Sequence, residues 1–177
     1  MKIMNELTYL NPHTDETNIL GIGDPELFKY PVAYLCEPGP AFEMSDEDVA
    51  NLRDYLQKGG FLIVDDFRYY DWKYFENQIL RVLPHAQFQD LDASHPIFHA
   101  FFEIKTLDVP QYYDPPPAMF RAIYEDNDPK KRIMVMINYN TDISEYWEWS
   151  DTGLKPIDES NEAYKIGVNY IIYRMTH

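Results

Sequence analysis

Apolar and polar positions alternate along this chain between unbroken apolar runs and spaced, one-sided ones. The run "FLIV" at 61–64 and the run "PVAYL" at 31–35 have the continuous pattern of strands covered on both faces by helices. Between them, "MSDEDVANLRDYLQKGG" carries Val49, Leu52, Tyr55 and Leu56 at helical spacing, which places them on one face. Ser45, with Asp48 three residues later, predicts a capping box, and Asp46, Glu47 and Asp48 suit the positive end of the helix dipole. Lys58 and Gly59 close the segment in the usual order, so the helix is predicted to end near Lys58. Strand, helix and strand in succession predict a right-handed crossover unit and therefore a parallel sheet.

The pattern continues after the adjacent acids Asp65 and Asp66. In "WKYFENQILRVLPH", Trp72, Phe75, Ile79, Val82 and Leu83 form one stripe that Pro84 stops, a second crossover helix. Residues of about 86–118 are rich in proline and aromatic side chains without a sustained period; they predict a long excursion with short elements, of the kind that often carries function. "FRAIYED" and "RIMVMIN" read as strands around the polar turn "NDPKK". "NEAYKIGVNYIIYRMTH" reads as a closing helix with Ala163, Ile166, Val168, Ile171, Ile172 and Met175 largely inward.

Length and composition narrow the possibilities. A chain of 177 residues with 45% hydrophobic content predicts one domain over 1–177. No apolar run approaches the roughly 18–20 residues of a membrane span, and "MKIMNELTYLNPHTDE" lacks the apolar centre and cleavage site of a signal peptide. A formal net charge of -15 repels phosphate backbones and anionic lipid, so nucleic acid is not an expected partner. The single cysteine, Cys36, excludes an internal disulfide framework and a thiolate zinc cluster. No cofactor is expected.

In an open parallel sheet the ligand crevice lies beyond the carboxyl ends of the strands. Cys36 and Glu37, then Asp65 and Asp66, then Asn138, Asn140 and Asp142 are predicted to converge there. Arg68, Tyr69 and Tyr70, which do not fit the buried stripe, are candidates to line it. One of the paired aspartates is expected to turn inward and fix backbone N–H groups; the other is expected to face the crevice with Glu37, Asn140 and Asp142. A metal site could draw on His95, His99, Glu37 and Asp142, though at no diagnostic spacing. A glycosidase-like pair, Asp66 with Glu145, requires a cleft of set width. In "SEYWEWSD", Tyr146, Trp147 and Trp149 either plug the core edge or form an aromatic platform for a sugar ring or partner protein. Cys36 at a strand end reads as a packed small residue and not a nucleophile.

The words "LFKYPVAYLCEPGP", "SDEDVANLRDYLQKGGFLIVDDF", "SHPIFHAFF", "NYNTDISEYWEWSD" and "AYKIGVNYIIYRMTH" resemble the bacterial family of domain of unknown function 4159, from about residue 25 onward. The resemblance implies a three-layer, flavodoxin-like α/β fold similar to class I glutamine amidotransferases, with a mostly parallel sheet and helices on both faces. It also implies a cell-envelope or periplasmic setting and no established activity. Members usually carry sequence ahead of the region matching "MKIMNELTYL", including a strand, so the first strand of the sheet is expected to be absent here. Amidotransferases hold a nucleophilic cysteine at a tight strand-to-helix elbow between small residues. The equivalent elbow here is "VDDFR", with an aspartate in place of the thiol and Phe67 and Arg68 in place of small neighbours. Amidotransferase chemistry is therefore expected to be lost, leaving a non-catalytic binding or assembly module for a polar ligand or protein partner. The alternatives are a metal-dependent hydrolase using Asp65, Asp66 and His95, and a carbohydrate-binding domain acting through Trp147 and Trp149.

Overall fold

The computed structural model describes residues 1–10, 12–15, 18–108 and 115–177. After a short helix α1 (Lys2–Leu7), the chain runs β1 (Val32–Cys36), α2 (Asp46–Gln57), β2 (Phe61–Asp65), α3 (Trp72–Val82), β3 (Gln89–Leu91), β4 (Met119–Tyr124), β5 (Ile133–Tyr139), α4 (Ser144–Glu148) and α5 (Ile157–Thr176). The strands form one mixed sheet in the order β1-β2-β5-β4-β3. β1, β2 and β5 are parallel, whereas β4 runs antiparallel to both β5 and β3. Among the described residues, no helix is long and apolar enough to cross a membrane.

The continuous apolar run of β2 is explained by its place, since all five of its residues are buried. Successive side chains point to opposite faces. Leu62 and Val64 join the cluster of Leu52, Leu56, Phe75 and Ile79 from α2 and α3. Phe61 and Ile63 join the cluster of Ile166, Tyr170 and Tyr173 from α5 and Tyr146 from α4. The sheet is thus covered on both faces. The capping box forms as its spacing predicts: Ser45 Oγ accepts the Asp48 N–H at 3.1 Å, and Asp48 Oδ2 accepts the Ser45 N–H at 3.0 Å.

Two regions add to or differ from the sequence reading. The excursion supplies an edge strand, β3, which has no apolar run to announce it; Asp90 pairs with Arg121 across the ladder at 2.8 Å. Residues 109–114 of the excursion lie outside the described ones. In α5, Ile171 and Ile172 are half-buried and Met175 is 50% exposed. The inward ridge is instead Ala163, Ile166, Tyr170 and Tyr173, because two tyrosines extend the spacing set by the first two residues and turn the aliphatic trio off the sheet.

Gly59 and Gly60 join α2 to β2 for different reasons. Gly59 takes a left-handed φ of 107°, as a helix-closing glycine does. At Gly60, an added Cβ would fall inside the Tyr55 ring, which is buried beside the start of β2 and donates its hydroxyl to Phe61 O at 3.4 Å. Gly60→Ala should therefore cost about 1–3 kcal/mol through overpacking, read as a lower urea midpoint; an unchanged midpoint would show that the Tyr55 ring moves freely aside.

Candidate functional site

The three parallel strands end alike. Glu37, Asp66 and Asn140 directly follow β1, β2 and β5, and all three take left-handed backbone, with φ of 53°, 58° and 57°. A non-glycine residue costs of order 1 kcal/mol or more in that region. Hydrogen bonds hold it there: the Glu37 N–H donates to the Asp65 and Asp66 carbonyls at 3.2 and 3.1 Å, the Asp66 N–H to Thr141 O at 3.1 Å, and the Asn140 N–H to Phe67 O at 3.1 Å. The strand ends are stitched into one rim.

Below the rim lies Asp65, fully buried on the α4 and α5 side. Its Oδ2 accepts the Tyr34 hydroxyl and the N–H groups of Ile143 at 2.9 Å and Ser144 at 3.0 Å. The register that pairs Val64 with Ile137 brings Asn138 level with Asp65. Asn138 is also fully buried and accepts the Tyr170 hydroxyl at 2.8 Å. Asp65 Oδ1 has no partner at hydrogen-bonding distance, although the Asn138 amide is near enough to favour the carboxylate. Burial pushes the Asp65 carboxyl up to about 7, against the opposing pull of Tyr34, Asn138 and the Ser144 N–H. Burial and the Asp65 charge hold Tyr34 well above the ordinary phenol range, so its hydroxyl stays a donor. Although Tyr34 as a whole is 40% exposed, this hydroxyl reaches inward.

Asp142 is a second buried acid with a structural task. Its Oδ1 accepts Ser144 Oγ and the Glu145 N–H, both at 2.8 Å, and so caps α4. Burial raises its carboxyl, with the Asp66 and Glu145 charges adding to the shift. Asn140 accepts the Tyr69 N–H at 3.0 Å and donates its amide to Pro116 O.

Outside the rim, a cavity of about 300 Å³ opens beside β1 and β2, lined by Glu37, Gly39, Asp66, Phe67, Arg68 and Asp71 among others. Asp71 was not foreseen as a site residue. It is 9% exposed; its Oδ2 accepts the Arg68 N–H at 3.3 Å, while its buried Oδ1 has no partner. A Cβ on Gly39 would lie 3.6 Å from that oxygen. Asp71 precedes the predicted helix as an ordinary N-terminal acid, so only the fold of residues 37–41 against 66–71 marks it.

Of the residues predicted to converge, Glu37, Asp66 and Arg68 line the cavity. Asn138, Asn140 and Asp142 lie at the same strand ends but are buried, their side chains spent on Tyr170, the Tyr69 segment and α4. The division between the paired aspartates is present with two changes: Asp65 fixes the start of α4 and Tyr34, not its own elbow, and Asp66 shares the cavity with Glu37 but not with the buried Asn140 and Asp142. Tyr69 stays off the cavity, 50% exposed with its ring edge-on to Tyr70 at 5.4 Å. Trp147 is half-buried between the Tyr34 ring, 5.8 Å away, and Gly167 of α5, where a Cβ would fall 2.8 Å from the indole. Trp149 is also half-buried. Glu145 is paired with Lys155 at 3.2 Å.

Cys36 is exposed and not packed, because β1 is an edge strand of the sheet. Partial burial and the Asp66 and Glu37 charges push its thiol up, away from the reactive thiolate. His95 does not join the aspartates. Its Nδ1 accepts the Ile97 N–H at 3.2 Å and its Nε2 meets the Tyr124 hydroxyl at 2.8 Å. Tyr124 pairs with Ile133 at the start of β5, the opposite end of the strand from Asn138. Among the described residues, no group of three or more His, Cys, Asp or Glu side chains is arranged to hold a metal ion.

The model of one protein family, described as domain of unknown function (DUF4159), matches residues 1–175. No curated protein matches the chain.

The folded chain keeps the Asp65 proton up to about pH 7, whereas an unfolded aspartate releases it near pH 4 (about 3.9). Between those values the native state binds more protons, so this group's contribution to stability falls as pH rises from about 4 to about 7 and is level above. Asp65→Asn keeps an oxygen for the Ile143 and Ser144 N–H groups but cannot titrate. Urea unfolding should show the stability of the parent relative to Asp65→Asn falling by about 1 kcal/mol per pH unit across that window; a difference that stays constant contradicts the assignment.

Proposed function

This chain belongs to the family described as domain of unknown function DUF4159, and we propose that it is a non-catalytic binding or assembly module on an amidotransferase-like, flavodoxin-like scaffold. The observation that carries this reading is Asp66. It occupies the left-handed turn between β2 and the following helical segment, with φ 58°, the kind of sharp turn on which elbow enzymes display their nucleophile. A carboxylate there, followed by Phe67 and Arg68, offers no thiol or hydroxyl to attack a carbonyl. Cys36, one strand away, has its thiol pushed up by partial burial and by the neighbouring acids Asp66 and Glu37. What the position retains is an opening at the strand ends, where open α/β sheets take ligands, and a cavity of about 300 Å³ at the small end of the range for ligand sites. The cell-envelope setting implied by the resemblance belongs to this proposal.

The metal-dependent hydrolase and carbohydrate-binding readings draw less support. The first needs His95, which is engaged at the far end of β5; the second needs an open indole face, and Trp147 is packed against Gly167.

Two measurements test the proposal. Incubation with glutamine should release no ammonia above the buffer rate; turnover that Cys36→Ala abolishes would restore the catalytic reading. In a fragment screen followed by amide NMR shifts, polar fragments should perturb residues 37–41 and 66–71. Perturbations confined to α1 and α5, or absent altogether, would remove the crevice from the account.

A further inference from the structure

We propose that His95 is a pH-sensitive latch that holds the excursion against β4 and α5 and opens when the imidazole takes a second proton. It lies at the far end of β5 from the crevice and goes beyond the binding-module reading without depending on it. Three elements meet at this ring. Its Nδ1 accepts the Ile97 N–H at 3.2 Å and so caps the single 3₁₀ turn Pro96–Phe98. Its Nε2 lies 2.8 Å from the Tyr124 hydroxyl on β4. Its face packs 6.0 Å from the Tyr173 ring on α5, which is stacked in turn on His177. The capped turn is part of the core, since Ile97 and Phe98 are fully buried. The imidazole itself is half-buried, so protons from solvent reach it.

The two bonds fix where the proton sits. A neutral imidazole has one N–H and one lone pair. The Ile97 N–H takes the lone pair at Nδ1, so the ring proton is at Nε2 and is donated to Tyr124 Oη. A second proton has only Nδ1 to occupy, where it would face the Ile97 N–H donor to donor. Charge and cap therefore exclude each other, and turning the ring over restores nothing, because a carbon then faces the Ile97 N–H. The surroundings favour the closed form. Burial holds the imidazole below the ordinary histidine range; Asp92 opposes this, while His177 and His99 add to it. The other ionisable groups against the ring are the phenols of Tyr124 and Tyr173, both pushed further up by burial. Asp92 is engaged with the Ser94 N–H and Oγ, and His99 with Ala93 O and Glu103. A second fastening does not titrate: the buried Asn169 of α5 accepts the Phe101 and Phe102 N–H groups at 3.0 and 2.7 Å and donates to Phe102 O at 2.9 Å. Opening at His95 thus frees the capped turn and leaves Phe101 and Phe102 tied to α5.

The test is an NMR titration of the isotopically labelled chain from about pH 8 to about pH 5, the range in which histidine changes charge. Imidazole nitrogen shifts should show His95 in the Nε2–H form at the upper end and protonating below the ordinary value of about 6.5. A histidine held below its unfolded value stabilises the fold above about pH 6.5, and that contribution is lost as pH falls. With the same midpoint, hydrogen-exchange protection of the Ile97 amide should fall about fivefold or more, the weight of a lost cap, while the Phe102 amide keeps its protection. His95→Asn supplies a cap oxygen that cannot titrate, so there the Ile97 amide should stay protected throughout. The parent's own titration decides the matter if that variant does not fold. An Nδ1–H form at the upper end, an Ile97 amide that stays protected after His95 is charged, or the same loss of protection in His95→Asn would each overturn the latch.

Discussion

A single buried carboxylate joins the elements that carry the crevice. Asp65 reaches Tyr34 on β1 and the N–H groups of Ile143 and Ser144 at the start of α4, so three separate stretches of chain converge on one oxygen. Removing a carboxylate from water costs several kcal/mol even after relaxation, and three donors offset that cost only in part. The carboxyl accordingly rises to about 7, and the tie is shared between ionised and protonated forms near neutral pH. Either form keeps an acceptor for the two amides. The tie survives the change of charge.

The same arrangement turns the adjacent Asp66 the other way. Successive strand residues face opposite ways, so a chain that buries Asp65 under α4 must turn Asp66 elsewhere. The left-handed turn sends it to the cavity beside Glu37 and Asp71. The strain at Glu37, Asp66 and Asn140 is held by the rim bonds to Asp65, Thr141 and Phe67, which themselves need the β5 to α4 loop in place. Buried acids below the rim and cavity-lining acids above it are thus two sides of one constraint.

Much of the scaffold was legible in the letters. The capping box at Ser45 and Asp48, the buried run of β2 and the Phe75, Ile79 and Val82 stripe all follow from local periodicity, and local periodicity needs no knowledge of partners. β3 was not legible because three residues at a sheet edge are held by pairing with β4, including Asp90 with Arg121, and leave no apolar pattern. The inward face of α5 was misjudged because Tyr170 and Tyr173 pack as core residues while Ile171, Ile172 and Met175 turn aside. At the site, the sequence located the strand ends but not the direction of each side chain. Asn138, Asn140 and Asp142 were read as crevice residues and are instead buried fasteners, since their partners Tyr170, Tyr69 and Glu145 lie far away or in turns whose shape is set by the whole fold. Asp71 was invisible for the converse reason: its unpaired oxygen exists only where two distant turns meet.

The central claim is that Asp65 is a sealed structural acid, and its own titration tests that most directly. A carbon-13 label on the Asp65 side-chain carboxyl, followed by NMR across the pH range in which the chain stays folded, should give a midpoint near 7. A midpoint near 4, as for a solvated aspartate (about 3.9), would place Asp65 in water and contradict the account.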